Sequence, residues 1–179
     1  LENSGTSAEQ SIEDAYENLR LTVVSSIPNV ASALSAVGDI IGKEPGDPSA
    51  NSLYVNLLGV KNNQTKTDTE SSFNITKTSY ENGKDVADSL TENSASADIK
   101  SAATAVKEVL NNALDMANDA RSLLDSTVTS SSFSDTSLNL LKAAIDGHIA
   151  AISGSLSSIT GYEQGVVSAE LGENSSIDA

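Results

Sequence analysis

Eight apolar positions, Ile99, Ala103, Val106, Leu110, Ala113, Ala117, Ala120 and Leu124, follow one another at alternating steps of 4 and 3 without interruption. That spacing holds side chains on one face of an α-helix for about seven turns, whereas a strand would alternate every second residue. Four of the eight are alanine, so the ridge is narrow and lets a second helix approach closely. The partner is expected in the same chain, because similar spacings occur before and after the ridge.

In the first segment, Ser7 and Gln10 have capping-box spacing, and Glu9, Glu13 and Asp14 suit the positive end of a helix dipole. A helix is therefore expected to open at Ser7. Its apolar positions are Ile12, Tyr16, Leu19, Val23, Ile27, Val30, Leu34, Val37 and Ile41. The step of eleven from Ile12 to Val23 implies a locally straightened seam, and Pro28, which lacks an amide hydrogen, implies a bend. Gly42–Ser49 holds Pro45 and Pro48 with two glycines and forms the first break.

The second segment opens on Leu53, Val55, Leu57, Leu58 and Val60 and resumes at Phe73, Thr76, Tyr80, Gly83, Ala87 and Leu90, but Lys61–Ser72 contains no apolar residue. Either a continuous helix carries a polar middle or the stretch leaves the bundle as a loop; the continuous helix is the favoured reading. Asn93 and Ser94–Ser96 supply the second turn and an N-cap for the alanine ridge. Thr127–Ser134 is the third break. The last helix carries Leu138, Leu141, Ile145, Ile149, Ile152, Leu156 and Ile159, with a second step of eleven from Leu138 to Ile149.

Helices over about 7–42, 53–92, 95–125 and 135–171, with frayed tails at 1–6 and 172–179, make the chain all-α. The expected architecture is an elongated, antiparallel, up-down-up-down four-helix bundle in a single domain 1–179, with both termini at one end. With six aromatic residues, the core must consist of Leu, Ile, Val and Ala, which suits narrow seams better than a wide ligand cavity.

A net charge of −15, with ten basic residues scattered from Arg20 to Lys142, excludes nucleic acid and anionic membrane surfaces as expected partners, since both require clustered cations. The absence of cysteine removes disulfides and thiolate chemistry. No uninterrupted apolar run approaches the ~20 residues of a membrane span, so membrane insertion by this segment is not expected.

The single histidine, His148, has Ile145 where a Glu-x-x-His metal motif needs glutamate. Asp115 with Asp119, and Glu13 with Glu17, are one turn apart, a spacing common on solvated helix faces, and neither pair lies in a calcium-type loop. No nucleophile elbow or phosphate-binding glycine loop occurs. No catalytic, metal or cofactor site is therefore expected. Asn63, Asn74 and Asn174 begin Asn-x-Ser/Thr sequons, about as many as this composition yields by chance. On a helical second segment, Asn63, Thr67, Glu70 and Asn74 share one face beside the polar gap and form the expected partner-facing or ligand-facing surface.

The outline is similar in shape to the extracytoplasmic sensor bundles of bacterial chemoreceptors, although no ligand-binding motif of that family matches residue by residue. The leading expectation is a non-enzymatic extracellular or surface-displayed interaction or spacer module, with a protein partner or self-association. The alternative is a sensor bundle recognising a small polar ligand.

Overall fold

The computed structural model describes the backbone of residues 2–43 and 54–177 and the side chains of 7, 9–43 and 54–173. Pro45, Pro48 and Leu53 lie outside the described residues. Four helices follow in order: α1 (Glu2–Ile41), α2 (Gln64–Asp88), α3 (Ser96–Asp125) and α4 (Asp135–Ile177). Cross-helix contacts fix their directions. Asn29 donates to Ser155 at 2.9 Å, Lys43 meets Glu70 at 3.4 Å, the Thr76 hydroxyl donates to the Asn112 carbonyl at 2.9 Å, and Lys107 meets Glu163 at 2.6 Å. With Tyr16–Glu170, Lys100–Glu170, Gly83 against Val109, and Ala31 beside Lys77 and Tyr80, residue numbers rise on one helix as they fall on its neighbour, as in an up-down-up-down bundle with α1 beginning and α4 ending at the same pole.

The cross-section is a rhombus, because α1 and α3 touch across the centre, whereas α2 and α4 make no contact among the described residues. Burial follows from that geometry. On α3, three heptad columns are buried: Ile99, Val106, Ala113 and Ala120; Ala103, Leu110, Ala117 and Leu124; and Ala102, Val109, Met116 and Leu123. The first two make up the ridge legible in the sequence, and the third faces α2. A central helix contacting three neighbours needs a stripe this wide. The alanines let α1 cross the short diagonal.

The same arrangement explains α1. Tyr16, Val23, Val30 and Val37 form one buried column, Leu19, Ser26, Ala33 and Ile40 a second, and Ile27, Leu34 and Ile41 a third. The step of eleven from Ile12 to Val23 crosses from the second of these columns to the first on a wide stripe. On α4, likewise, Leu138, Ile145, Ile152, Ile159 and Val166 are buried at strict sevens, while Ile149 and Leu156 are half-buried on its flank. Within Glu9–Ile41 an 18-residue window reaches a mean hydropathy of 1.4, and the helix is long enough to cross a membrane, but 44% of that window is buried in the bundle. Its apolar residues are dispersed in columns, so a search for an unbroken run misses it.

Several boundaries differ from expectation. Helix α1 begins at Glu2, and Gln10 bonds forward to Asp14 at 3.1 Å. No capping box therefore forms at Ser7. The helix runs through Pro28 as one element; Pro28 is exposed, so the Val24 carbonyl that loses its helical donor lies on the wet side. The residue capping α3 is Ala95, without a side-chain bond, and the Ser94 hydroxyl instead accepts the Thr91 amide at 2.8 Å. Helix α4 has the side-chain cap, with the Ser137 amide donating to the Ser134 hydroxyl at 3.1 Å, and it continues to Ile177.

The largest correction concerns the second segment: Tyr54–Lys61 forms turns, and α2 starts at Gln64 rather than Leu53. Gly59 has φ +66°, a left-handed conformation that interrupts a right-handed helix. The segment is sewn to the α3–α4 loop. Lys61 donates to the Ser126 carbonyl at 2.9 Å, Val128 donates to the Leu57 carbonyl at 3.2 Å, and Tyr54 stacks on Phe133 at 4.6 Å between ring centroids. Its apolar residues close one pole of the bundle instead of extending a helix.

Candidate functional site

Most of the polar stretch expected to mark a surface is helical, and its structure differs from a water-filled gap. Thr69 and Thr76 are fully buried and continue the seam through Phe73, Gly83 and Ala87 at heptad spacing. Thr69 donates to the Thr65 carbonyl at 2.7 Å and Thr76 to the Asn112 carbonyl at 2.9 Å. Each hydroxyl is satisfied by backbone, so threonine takes a core position at little polar cost. Hydrophobicity alone does not reveal this; the heptad position of the threonines does.

Of the four residues singled out on α2, Thr67 and Asn74 are exposed, Asn63 is exposed at the helix start, and Glu70 is half-buried and paired with Lys43. None of them lines either of two open grooves that flank α2. One groove, about 450 Å³, is bordered by Asp68, Ser72, Ile75, Asn112, Asp115 and Asp119. The other, about 250 Å³, runs between Leu34, Phe73, Lys77 and Tyr80. Among the described residues, no three His, Asp or Glu side chains gather as a metal site.

The clearest electrostatic structure lies along the α3–α4 seam. Lys100 meets Glu170 at 2.8 Å, Lys107 meets Glu163 at 2.6 Å, Arg121 meets Asp146 at 2.9 Å, and Lys142 meets Asp125 at 2.7 Å. The hydrogen bonds from Lys142 and Arg121 hold the Asp125 carboxyl below its ordinary range, and those from Lys100 and Tyr16 do the same for Glu170. These pairs set helix register and direction. They are partly exposed, and their energetic worth is correspondingly small.

The opposite side of α4 has no such pairs. Leu140, Ala144, Gly147, Ala151, Gly154, Ser158, Gly161, Gly165 and Ser168 are all exposed and repeat at steps of 4 and 3. They form a second small-residue seam, pointing outward and lacking any charge. A Cβ added at Gly147, Gly154, Gly161 or Gly165 would meet nothing within 4 Å. Internal packing therefore does not require these glycines, although each costs a helix about 1 kcal/mol relative to alanine.

No family model and no curated protein matches this chain.

Leu140, at the start of the seam, is 68% exposed, and Tyr162, Val167 and Leu171 are exposed beside it. From Asn139 to Leu171 the single exposed charge on α4 is Asp146, which is taken by Arg121. A solvated helix in so acidic a chain would ordinarily carry free charges on its outer face. The signal was available in the sequence as glycines at 147, 154 and 161, spaced by sevens, but reading it required knowing which face of α4 is covered.

Proposed function

We propose that this chain is a non-enzymatic helical interaction module, displayed outside the cell, that presents the outer face of α4 to a protein partner. The observation that carries this reading is the uncharged seam from Leu140 to Ser168, whose glycines expose helix backbone without serving the internal core. Small residues at helical spacing permit close helix-to-helix approach, and the bordering Tyr162, Val167 and Leu171 add apolar area. The extracellular assignment rests on the Ser, Thr and Asn richness of a chain without cysteine.

The sensor alternative draws less support, because the polar stretch on which it relied closes onto α3 through Thr69 and Thr76. Site-specific photocrosslinking tests the module reading. A crosslinker at Ser158 should capture a specific protein, either another copy or a different chain, while one at exposed Asn111 on α3 should not. Equal capture at both positions, or none at Ser158, counts against it. A melting screen with amino acids, organic acids and divalent ions tests the alternative, since a ligand of the folded state raises the midpoint.

A further inference from the structure

We infer that α2 is a detachable strap: it opens as a unit while α1, α3 and α4 remain packed as a three-helix core. The rhombic cross-section permits this. Because α1 touches both α3 and α4, and α3 touches α4, lifting α2 away leaves three mutually contacting helices. In a square bundle without the diagonal contact, removing one helix would leave an open row.

The α2 side of the interface is made mostly of small and polar residues. Its buried residues are Thr69, Phe73, Thr76, Gly83 and Ala87, of which Phe73 alone is large, whereas α3 buries twelve residues that include Met116, Leu110, Leu123 and Leu124. The strap itself contributes little apolar surface, so resistance to opening comes chiefly from the α3 column that it covers. The two threonine hydroxyls are held by carbonyls that water can replace, so opening leaves no orphaned polar group in the core. Regions with few buried apolar contacts form the low-stability cooperative units of a protein.

Solvent reaches both flanks of α2. The 450 Å³ groove undercuts α2 on its α3 side and the 250 Å³ groove on its α1 side, and a further one of about 190 Å³ lies at its end, by Val86, Ser89 and Leu90. The strap is pinned at its entry, where the preceding turn bonds to Ser126 and Val128. Opening would bare the α3 column of Ala102, Val109, Met116 and Leu123, whose Val109 lies against Gly83. This inference is independent of the role proposed for α4.

Gly83 is where the device is most easily biased, since an added Cβ would stand 2.4 Å from the Val109 Cγ2. Native-state hydrogen exchange on the full chain is the test. In the unaltered protein, amides of Gln64–Asp88 should exchange together, at least ~30-fold faster than the core amides of α3. Gly83→Ala should speed the α2 group by a further ~10-fold or more and leave α4 core amides unchanged. Exchange of α2 and α3 at one common rate overturns the inference even if the variant fails to fold. So does a Gly83→Ala protein in which all four helices accelerate equally.

Discussion

The Tyr16 hydroxyl donates to the Glu170 carboxylate at 2.6 Å across 154 residues of sequence, and the Lys100 ammonium reaches the same oxygen at 2.8 Å. Three helices, α1, α3 and α4, are thus tied at the pole where the chain begins and ends. Lys100 also lies 5.4 Å from the centre of the Tyr16 ring, within cation–π range. Tyr16→Phe keeps the ring and removes the bond, so it should cost about 1 kcal/mol in urea-unfolding free energy. A loss near zero would mean that water replaces the hydroxyl freely.

Acid should weaken the bundle through the same groups. Glu170 and Asp125 have folded-state pKa values below their ordinary 4.5 and 3.8. Their contribution is therefore present above the unfolded-state values and is lost as pH falls through the folded ones. Neutralising the excess carboxylates relieves repulsion over part of that range. Midpoints measured from pH 7 downward should hold or rise toward pH 5 and fall below about pH 4. In Lys142→Met, which removes the largest cause of the Asp125 shift, the fall should be shallower.

The outward glycines of α4 give the opposite sign from most glycine replacements. Gly147→Ala, Gly154→Ala and Gly161→Ala meet open space and should each raise unfolding free energy by about 0.5–1 kcal/mol. The effects should be nearly additive, because neighbouring sites are about 10 Å apart along the axis. If this face docks a partner helix, the triple variant should melt higher and bind more weakly, a separation that calorimetry and a binding assay would reveal.

At the other pole, Gly59→Ala should be costly. The residue has φ +66°, and a Cβ there would stand 3.0 Å from the Leu123 Cδ1. Left-handed strain and crowding together should destabilise by about 1–3 kcal/mol by denaturant titration. Gly172→Ala, in open space on α4, is the control.

The folded core has one stringent test on α4. Ile152 is fully buried at the centre of the Leu138–Val166 column, so Ile152→Ala should cost about 2–5 kcal/mol. Leu140→Ala, on the exposed face, should change stability by less than about 0.5 kcal/mol.

The helical class and the antiparallel order were legible because Ile99–Leu124 repeats at heptad steps and the breaks near Gly42, Asn93 and Thr127 are rich in turn-forming residues. Two-column reasoning hid the rhombus. Ala102, Val109, Met116 and Leu123 form a third column on α3, and their burial depends on a contact across the bundle that no local pattern encodes. The start of α2 was misread because apolar residues around Leu57 bury themselves equally well in a turn, and Gly59 decides against the helix through one dihedral angle. The surface through Asn63, Thr67, Glu70 and Asn74 lies on one flank of α2 but borders none of the three grooves described beside that helix. The α4 face was missed because an apolar helix reads as core until its neighbours are counted.

Helices α1 and α4 lie side by side and antiparallel, with the start of one beside the end of the other. A load applied through those two ends would part the bonds Tyr16–Glu170 and Asn29–Ser155 one after another, as a zip fastener opens, rather than shearing them all at once. The molecule should thus yield gradually under tension, with stepwise lengthening at low force in an optical trap.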